Sequence, residues 1–115
     1  KILELEAELF GSDLTPNTCS LIANLEPFGV DNNRPKFLLS TVKILSSRTV
    51  GAAGKHTQYQ LQKDNITLPG IAFNSATLEK NFKVGDTVDV ACELLLDEWN
   101  GRSQLKLRVV DFRGC

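Results

Sequence analysis

The first group of residues that could do chemistry lies in the segment Gly51-Ala-Ala-Gly-Lys55-His56. A phosphate-binding P-loop has four residues between its glycines and a Ser or Thr after the lysine, whereas here two residues separate the glycines and a histidine follows the lysine. A P-loop is therefore rejected. Glycines still permit close backbone approach, and Lys55 and His56 could donate hydrogen bonds to a phosphate group. The alternative is a mobile loop with a solvated lysine.

The second group surrounds Asn100-Gly101, where the single tryptophan, Trp99, is followed by Arg102. A tryptophan at the tip of a hairpin could stack on a nucleobase. It could equally pack across the hairpin against Arg102 or close one end of the fold. Three more cations lie on segments with strand-like alternation and complete the set of candidate nucleic-acid contacts: Arg48, Lys55, His56, Trp99, Arg102, Lys106 and Arg108.

The sequence offers no recognisable catalytic or metal-binding site. The single histidine has no serine or cysteine nucleophile at a recognisable spacing, and the acidic residues form no ligand cluster. Cys19, Cys92 and Cys115 are far apart and lack metal-ligand spacing, which favours a reducing cytoplasm over secretion. We predict neither catalysis nor a cofactor within these 115 residues.

Composition indicates an ordinary globular chain with an uneven charge distribution. The formal charge is −1, with 42% hydrophobic and 23% charged residues, and no apolar run suggests a membrane span. Residues 34–63 nevertheless hold six basic residues and no acidic one, whereas residues 1–33 hold six acidic residues and one basic. Because the chain begins with Lys1 and contains no methionine, we expect it to be a fragment of a longer protein.

The clearest structural signal is a β-hairpin across residues 85–112. Asn-Gly suits a two-residue turn in which both central residues have positive φ, and alternating apolar residues flank it on both sides. If Trp99 and Arg102 flank the turn, one face of the hairpin is apolar and the other is polar. The inner pairs are Leu96 with Leu105, Leu94 with Leu107 and Cys92 with Val109; the outer pairs are Asp97 with Gln104, Leu95 with Lys106 and Glu93 with Arg108.

Three further strands and a helix are expected before this hairpin. The strands cover residues 37–50, 56–63 and 67–74, with a bulge at Ser46-Ser47 and Tyr59 more consistent with the core than with a binding surface. In the first strand, Leu38, Val42 and Ile44 are expected to share one face. Ser75 is predicted to cap a short helix through residue 82. This order predicts a mainly β chain forming a five-stranded OB-fold barrel with a short helix between strands 3 and 4, a fold that commonly binds oligonucleotides across its second and third strands.

The N-terminal third is predicted to precede the barrel. Residues 1–10 alternate as a half-buried strand does, with a helix as the rival interpretation. Thr15-Pro16 reads as the N-cap and first residue of a helix over residues 16–25. Two prolines and a glycine in residues 26–37 favour a connection there. We therefore expect an adjacent-domain strand and linking helix in residues 1–33 and the OB-fold domain in residues 34–115.

Four stretches resemble the C-terminal region of the bacterial RecJ family of single-strand-specific 5′-to-3′ exonucleases: EPFGVDNNRPKF, SSRTVGAAGKH, IAFN and DEWNGRSQLKLRVVDF. The resemblance spans nearly the whole chain. It identifies residues 1–33 with the end of the family's DHH-associated domain and a linker helix, and the rest with its OB domain. Asp31 and Asn33 depart from the family pattern, where a glycine and a proline are usual.

The resemblance implies a function in DNA repair and recombination. The family's catalysis requires a DHH domain with two divalent metals, manganese or magnesium, which is outside these residues. This chain would bind single-stranded DNA and orient it toward that nuclease core, in the cytoplasm and without a membrane partner. The alternative is a docking module that contacts the nuclease core or a single-strand-binding protein without touching DNA.

Overall fold

Six β-strands and a short 3₁₀ turn make up the computed structural model, which describes residues 7–15, 17–18, 35–51, 55–73 and 82–114. The 3₁₀ turn covers Gly11–Asp13. The strands are β1 (Ala7–Glu8), β2 (Phe37–Val50), β3 (His56–Lys63), β4 (Ile66–Ala72), β5 (Thr87–Trp99) and β6 (Arg102–Gly114). The bounds of β2 and β3 agree with the sequence prediction, and β4 begins and ends earlier than predicted.

Strands β2 to β6 close into a barrel. The sheet order is β1-β2-β3-β4-β6-β5, and a further pairing between β2 and β5 closes it. Strands β4 and β6 run parallel, whereas the other barrel pairs are antiparallel. The predicted five-stranded OB-fold barrel is confirmed. The helix predicted from Ser75 lies almost entirely within residues 74–81, outside the described part of the chain.

The β5–β6 hairpin has the predicted register. All six predicted inner and outer pairs are present, and Trp99 opposes Arg102 across the turn. Asn100 has φ +50° and Gly101 has φ +74°, as the two-residue turn requires. The prediction succeeds because alternation and turn type are both local properties of the chain.

In β2 the predicted assignment of faces is wrong at its start. Leu39 is fully buried with Val42 and Ile44, whereas Leu38 is only half-buried. The cause is a register shift between Leu39 and Val42, where Thr41 has φ +56° and its N–H donates to Asp89 Oδ1 at 3.1 Å. An extra residue in one strand reverses the faces that follow it. A second shift lies between Ile44 and Ser46, next to the predicted bulge.

The barrel interior is filled by alternate residues of all five strands. Tyr59 is 3% exposed and meets Phe112 edge to face, with ring centroids 5.2 Å apart, so the core interpretation of Tyr59 is confirmed. Leu9 and Leu14 from the N-terminal segment belong to the same buried cluster. None of the described helical residues forms a segment long and apolar enough to span a membrane.

Residues 7–14 are attached to the barrel by backbone and side-chain contacts. Ala7 and Glu8 pair in parallel with Phe37 and Leu38, and Ser40 Oγ donates to Glu8 Oε2 at 2.7 Å. The Gly11 N–H donates to Asp64 Oδ2 at 3.0 Å, which ties the 3₁₀ turn to the connection between β3 and β4. This segment therefore packs as a sixth, peripheral element of the barrel.

The described residues cover only part of the other N-terminal predictions. The Thr18 N–H donates to Thr15 Oγ1 at 3.2 Å, and Asn17 and Thr18 are helical. Thr15 is therefore the N-cap of this helix, as predicted. Residues 1–6 of the predicted strand and residues 19–25 of the predicted helix lie outside the described chain. The boundary between residues 33 and 34 stays a prediction.

Candidate nucleic-acid interface

Four neighbouring strands place one residue each in a line on the outer side of the barrel, in which Ile71 is buried. The pairings are Arg48 with Gln58, Gln58 with Ile71 and Ile71 with Arg108. We call these four residues the outer row. Adjacent strands are about 4.8 Å apart, so three steps separate the backbones of Arg48 and Arg108 by about 14 Å. The row crosses β3 and β4, the two strands that OB-folds commonly use for oligonucleotides.

Arg48 forms one end of the outer row and faces solvent. Its Nη2 donates to Gln58 Oε1 at 2.8 Å, and among the described residues it makes no ion pair. A neutral amide orients the guanidinium without neutralising it. The charge of Arg48 is therefore not neutralised by an acidic partner among the described residues, and its role as a nucleic-acid contact stays a prediction.

An exposed aromatic residue, Phe73, lies immediately beyond β4 and beside the outer row. Its side chain is 45% exposed, so a large part of the ring can be reached from solvent. The His56 ring packs against it edge to face, with centroids 5.2 Å apart. The Arg108 guanidinium carbon lies over the Phe73 ring, 5.7 Å from the centroid, within cation–π range. The site thus combines an aromatic surface with a cation.

At the other end of the row, Arg108 pairs with a buried carboxylate. Arg108 Nη1 donates to Glu93 Oε2 at 3.0 Å, and Lys36 Nζ lies 3.6 Å from the same oxygen. The Glu93 side chain is only 8% exposed, although it occupies the outer face that the sequence predicted. A buried carboxylate requires such partners. Glu93 also helps to raise the pKa of the adjacent Cys92 thiol to about 12, after the larger effect of burial.

Lys55 lies just before β3, next to His56, and its side chain is exposed. Gly51, at the start of the same connection, has φ +83°, a conformation that glycine adopts without strain. Residues 52–54 are outside the described chain. The structure therefore places Lys55 and His56 at the same end of β3, close to Phe73.

The hairpin tip is a separate location. Arg102 is exposed and lies six positions before Arg108 on β6, a distance of about 20 Å along the strand. The side chain of Trp99 is outside the described part of the structure. Lys106 lies between the two locations, with its Nζ 3.6 Å from Asp97 Oδ2. Arg102 instead lines an open depression together with Asp97, Ser103 and Gln104.

The seven predicted contact residues therefore fall into two groups. One group belongs to the outer row or lies beside Phe73: Arg48, Arg108, Lys55 and His56. The other group lies at the hairpin tip or on the adjoining part of β6: Trp99, Arg102 and Lys106. Sequence reasoning missed Phe73 and Lys36. The alternation of β4 places Phe73 on the same outer face as Ile71, which could have indicated it. No comparable signal marked Lys36, because its partner Glu93 is distant in sequence.

The described residues contain no group of three His, Cys, Asp or Glu side chains that could hold a metal ion. The donor set of the interface is cationic and aromatic, which does not suit a divalent cation.

Comparison with known proteins gives two matches to the sequence. Residues 5–111 match the model of the RecJ OB domain family. The single-stranded-DNA-specific exonuclease RecJ of Bacillus subtilis is 25% identical over 99 residues, which cover 86% of this chain and 13% of that protein. The chain thus spans about an eighth of the relative it matches.

Solved structures agree with the sequence comparison. RecJ of Thermus thermophilus in complex with Mn²⁺ superimposes with a TM-score of 0.68 at 26% identity, over 96% of this chain and 16% of that one. The Mg²⁺ complex gives a TM-score of 0.66 at 24% identity, with the same coverage. A Leishmania major protein described as a putative aspartyl-tRNA synthetase shares only the fold, with a TM-score of 0.53 at 15% identity. Because the family model matches nearly the entire chain, this chain belongs to the RecJ OB domain family.

Proposed function

We propose that this chain binds single-stranded DNA through the outer row and Phe73, and that it holds the strand for a nuclease core located elsewhere in a longer RecJ-type exonuclease. The observation that carries the proposal is the placement of two arginines and an exposed phenylalanine across β2, β3, β4 and β6. Single-strand-binding surfaces combine cations along the backbone with aromatic platforms for the bases.

Each part of the surface suits one part of the ligand. Arg48 and Lys55 offer charge to phosphates, and Phe73 offers an apolar face to a base. Bases are accessible in this way only when they are unpaired, so the surface favours single strands over duplex. The Bacillus subtilis relative is a single-stranded-DNA-specific exonuclease, which supports the same ligand.

The nuclease activity belongs to the proposal for the longer protein. The Thermus thermophilus structures contain Mn²⁺ or Mg²⁺, and a divalent metal would serve the parent enzyme at a site outside the described residues. This chain would contribute affinity and orientation, whereas bond cleavage would occur in the core. Roles in DNA repair and recombination, and a cytoplasmic location, follow from this assignment as part of the proposal.

A salt titration with a short oligo-dT tests the proposal. For single strands, the slope of log K against log salt is about −0.7 per phosphate neutralised. We expect measurable binding at low salt, and we expect Arg48→Ala to reduce the magnitude of the slope by about 0.7. Lys83→Ala serves as a control, because Lys83 is an exposed cation on the connection before β5, away from the outer row. No binding by the wild type at low salt, or a slope unchanged in Arg48→Ala, would contradict the proposal.

A docking module is the second candidate function. Two exposed apolar side chains favour it: Leu45 is 36% exposed and Val84 is 52% exposed, and the Gly85 N–H joins their two segments by donating to the Ile44 carbonyl oxygen at 2.8 Å. The partner would be the nuclease core or a single-strand-binding protein. In that case Leu45→Ser would weaken the protein complex, and Arg48→Ala would leave it unchanged.

A further inference from the structure

We infer that Phe73 and Arg108 together contact one nucleobase, and that Glu93 is the positioning residue that keeps Arg108 at this base and away from the phosphates. This inference rests on the proposed function and assigns different parts of the DNA to the two ends of the outer row. Arg48 would contact the backbone, and Arg108 would contact a base.

The first step of the argument is the accessibility of the pair. Phe73 is 45% exposed and the Arg108 side chain is 40% exposed, so each retains a surface that a ligand can reach. The guanidinium carbon lies 5.7 Å from the ring centroid, and His56 supports the ring from its edge. The guanidinium covers one face of the Phe73 ring, and its own outer face continues the stack that a base can join.

The second step is the ion pair by which Glu93 fixes the position of the Arg108 guanidinium. The carboxylate is almost fully buried and has two described cationic partners, Arg108 at 3.0 Å and Lys36 at 3.6 Å. Moving Arg108 to a phosphate would remove the closer partner from a buried charge, which is strongly unfavourable. The negative charge of Glu93 also cancels part of the attraction that Arg108 exerts on a phosphate. The guanidinium face, in contrast, remains available while its edge stays bonded to Glu93.

The third step is the contrast with Arg48. Arg48 is held by the neutral amide of Gln58 at 2.8 Å and has no acidic partner among the described residues. Its charge is therefore available to the backbone. The two arginines should therefore affect different measured quantities. Loss of Arg48 should change the salt dependence of the affinity, and loss of Arg108 should change how much the affinity depends on the bases of the DNA.

An abasic oligonucleotide separates these two contributions, because it has the phosphates of oligo-dT without the bases. We expect the wild-type chain to bind oligo-dT about 5- to 100-fold more tightly than an abasic strand of the same length. Phe73→Ala and Arg108→Ala should bring this ratio close to one without changing the salt slope. Arg48→Ala should weaken binding to both strands equally and reduce the magnitude of the slope by about 0.7.

Two conservative variants distinguish positioning from a merely structural role. Arg108→Lys keeps a cation beside Glu93 but loses the planar face, so the base-to-abasic ratio should fall while the slope stays constant. Glu93→Gln keeps the side-chain volume but removes the charge that retains Arg108. It should steepen the slope by up to about 0.7, because Arg108 can then reach a phosphate, and it should lower the ratio.

The outcomes are distinguishable. If Arg108→Ala and Arg108→Lys change the salt slope as Arg48→Ala does, or leave the base-to-abasic ratio at its wild-type value, Arg108 does not contact a base and the inference is wrong, while DNA binding by the chain stands. If the wild type binds neither oligonucleotide at low salt, the proposed function itself fails. A cooperative thermal transition well above the assay temperature confirms that each variant is folded, even where the loss of a partner for Glu93 lowers the midpoint.

Discussion

Raising the pH above 9 should destabilise this chain through a single buried thiol. Cys92 opposes Val109 in the β5–β6 hairpin and is completely buried. Burial, together with the negative charge of neighbouring Glu93, raises its pKa from 9.0 to about 12. The folded chain therefore retains the proton over a range in which the unfolded chain loses it.

The sign and size of the effect follow from that difference in proton binding. Below pH 9 the thiol is protonated in both states and contributes no pH dependence. Between pH 9 and pH 12 the folded state holds one more proton, so the free energy of unfolding falls by about 1.4 kcal/mol per pH unit. At pH 11 the loss attributable to Cys92 should reach about 3 kcal/mol.

Urea unfolding at pH 8 and pH 11 measures this loss, with Cys92→Ala as the matched variant. The alanine variant loses packing at both pH values, so that penalty cancels when the two pH values are compared. Other titrating groups are shared by both chains. The wild type should lose about 3 kcal/mol more than the variant between the two pH values. Equal losses would refute the assignment of the pH dependence to this thiol.

Two further predictions concern glycines whose surroundings are well defined. Gly101→Ala should lower the free energy of unfolding by about 1 kcal/mol, because φ +74° disfavours a side chain. Urea unfolding measures this loss, with Asn100→Gly as the control, because glycine adopts the positive φ of Asn100 without strain. Equal stability of Gly101→Ala and the wild type would contradict the turn assignment. Gly11→Ala should weaken the attachment of residues 7–14, because its Cβ would clash with Asp64 Oδ2, the oxygen that accepts the hydrogen bond of the Gly11 N–H. Hydrogen exchange at the Leu9 amide should then accelerate, and unchanged protection would contradict that contact.

The parts of the fold that the sequence predicts well are those set by neighbouring residues. The Asn100-Gly101 turn and the alternation around it determine the β5–β6 register from the turn to the pair of Cys92 with Val109, beyond which the register shifts by one residue. The start of β2 was not predictable in this way. The bulge at Thr41 lies in the pairing of β2 with the distant strand β5, and Asp89 of β5 accepts the hydrogen bond of the Thr41 N–H. A periodicity argument that assumes an unbroken strand therefore places Leu39 on the wrong face.

The candidate site shows the same limit. Arg48, Lys55, His56 and Arg108 could be chosen from the sequence because their charge and strand position are visible there. Their division into two groups was not visible, since it depends on the parallel pairing of β4 with β6. The burial of Glu93 was equally hidden, because Lys36 approaches it from a distant segment. Family resemblance supplied the ligand class, and the pairing of distant strands supplied the arrangement.

The attachment of residues 7–14 has a mechanical consequence for the interface. Strand β2 is paired with β1 at Phe37 and Leu38, and the same strand carries Arg48 near its other end. The chain therefore enters the barrel on the strand that also holds one end of the outer row. If Arg48 holds DNA as proposed, a pull on that DNA would be transmitted along β2 to its pairing with Ala7 and Glu8. The proposed DNA contact and the attachment of the N-terminal segment therefore lie near opposite ends of the same strand.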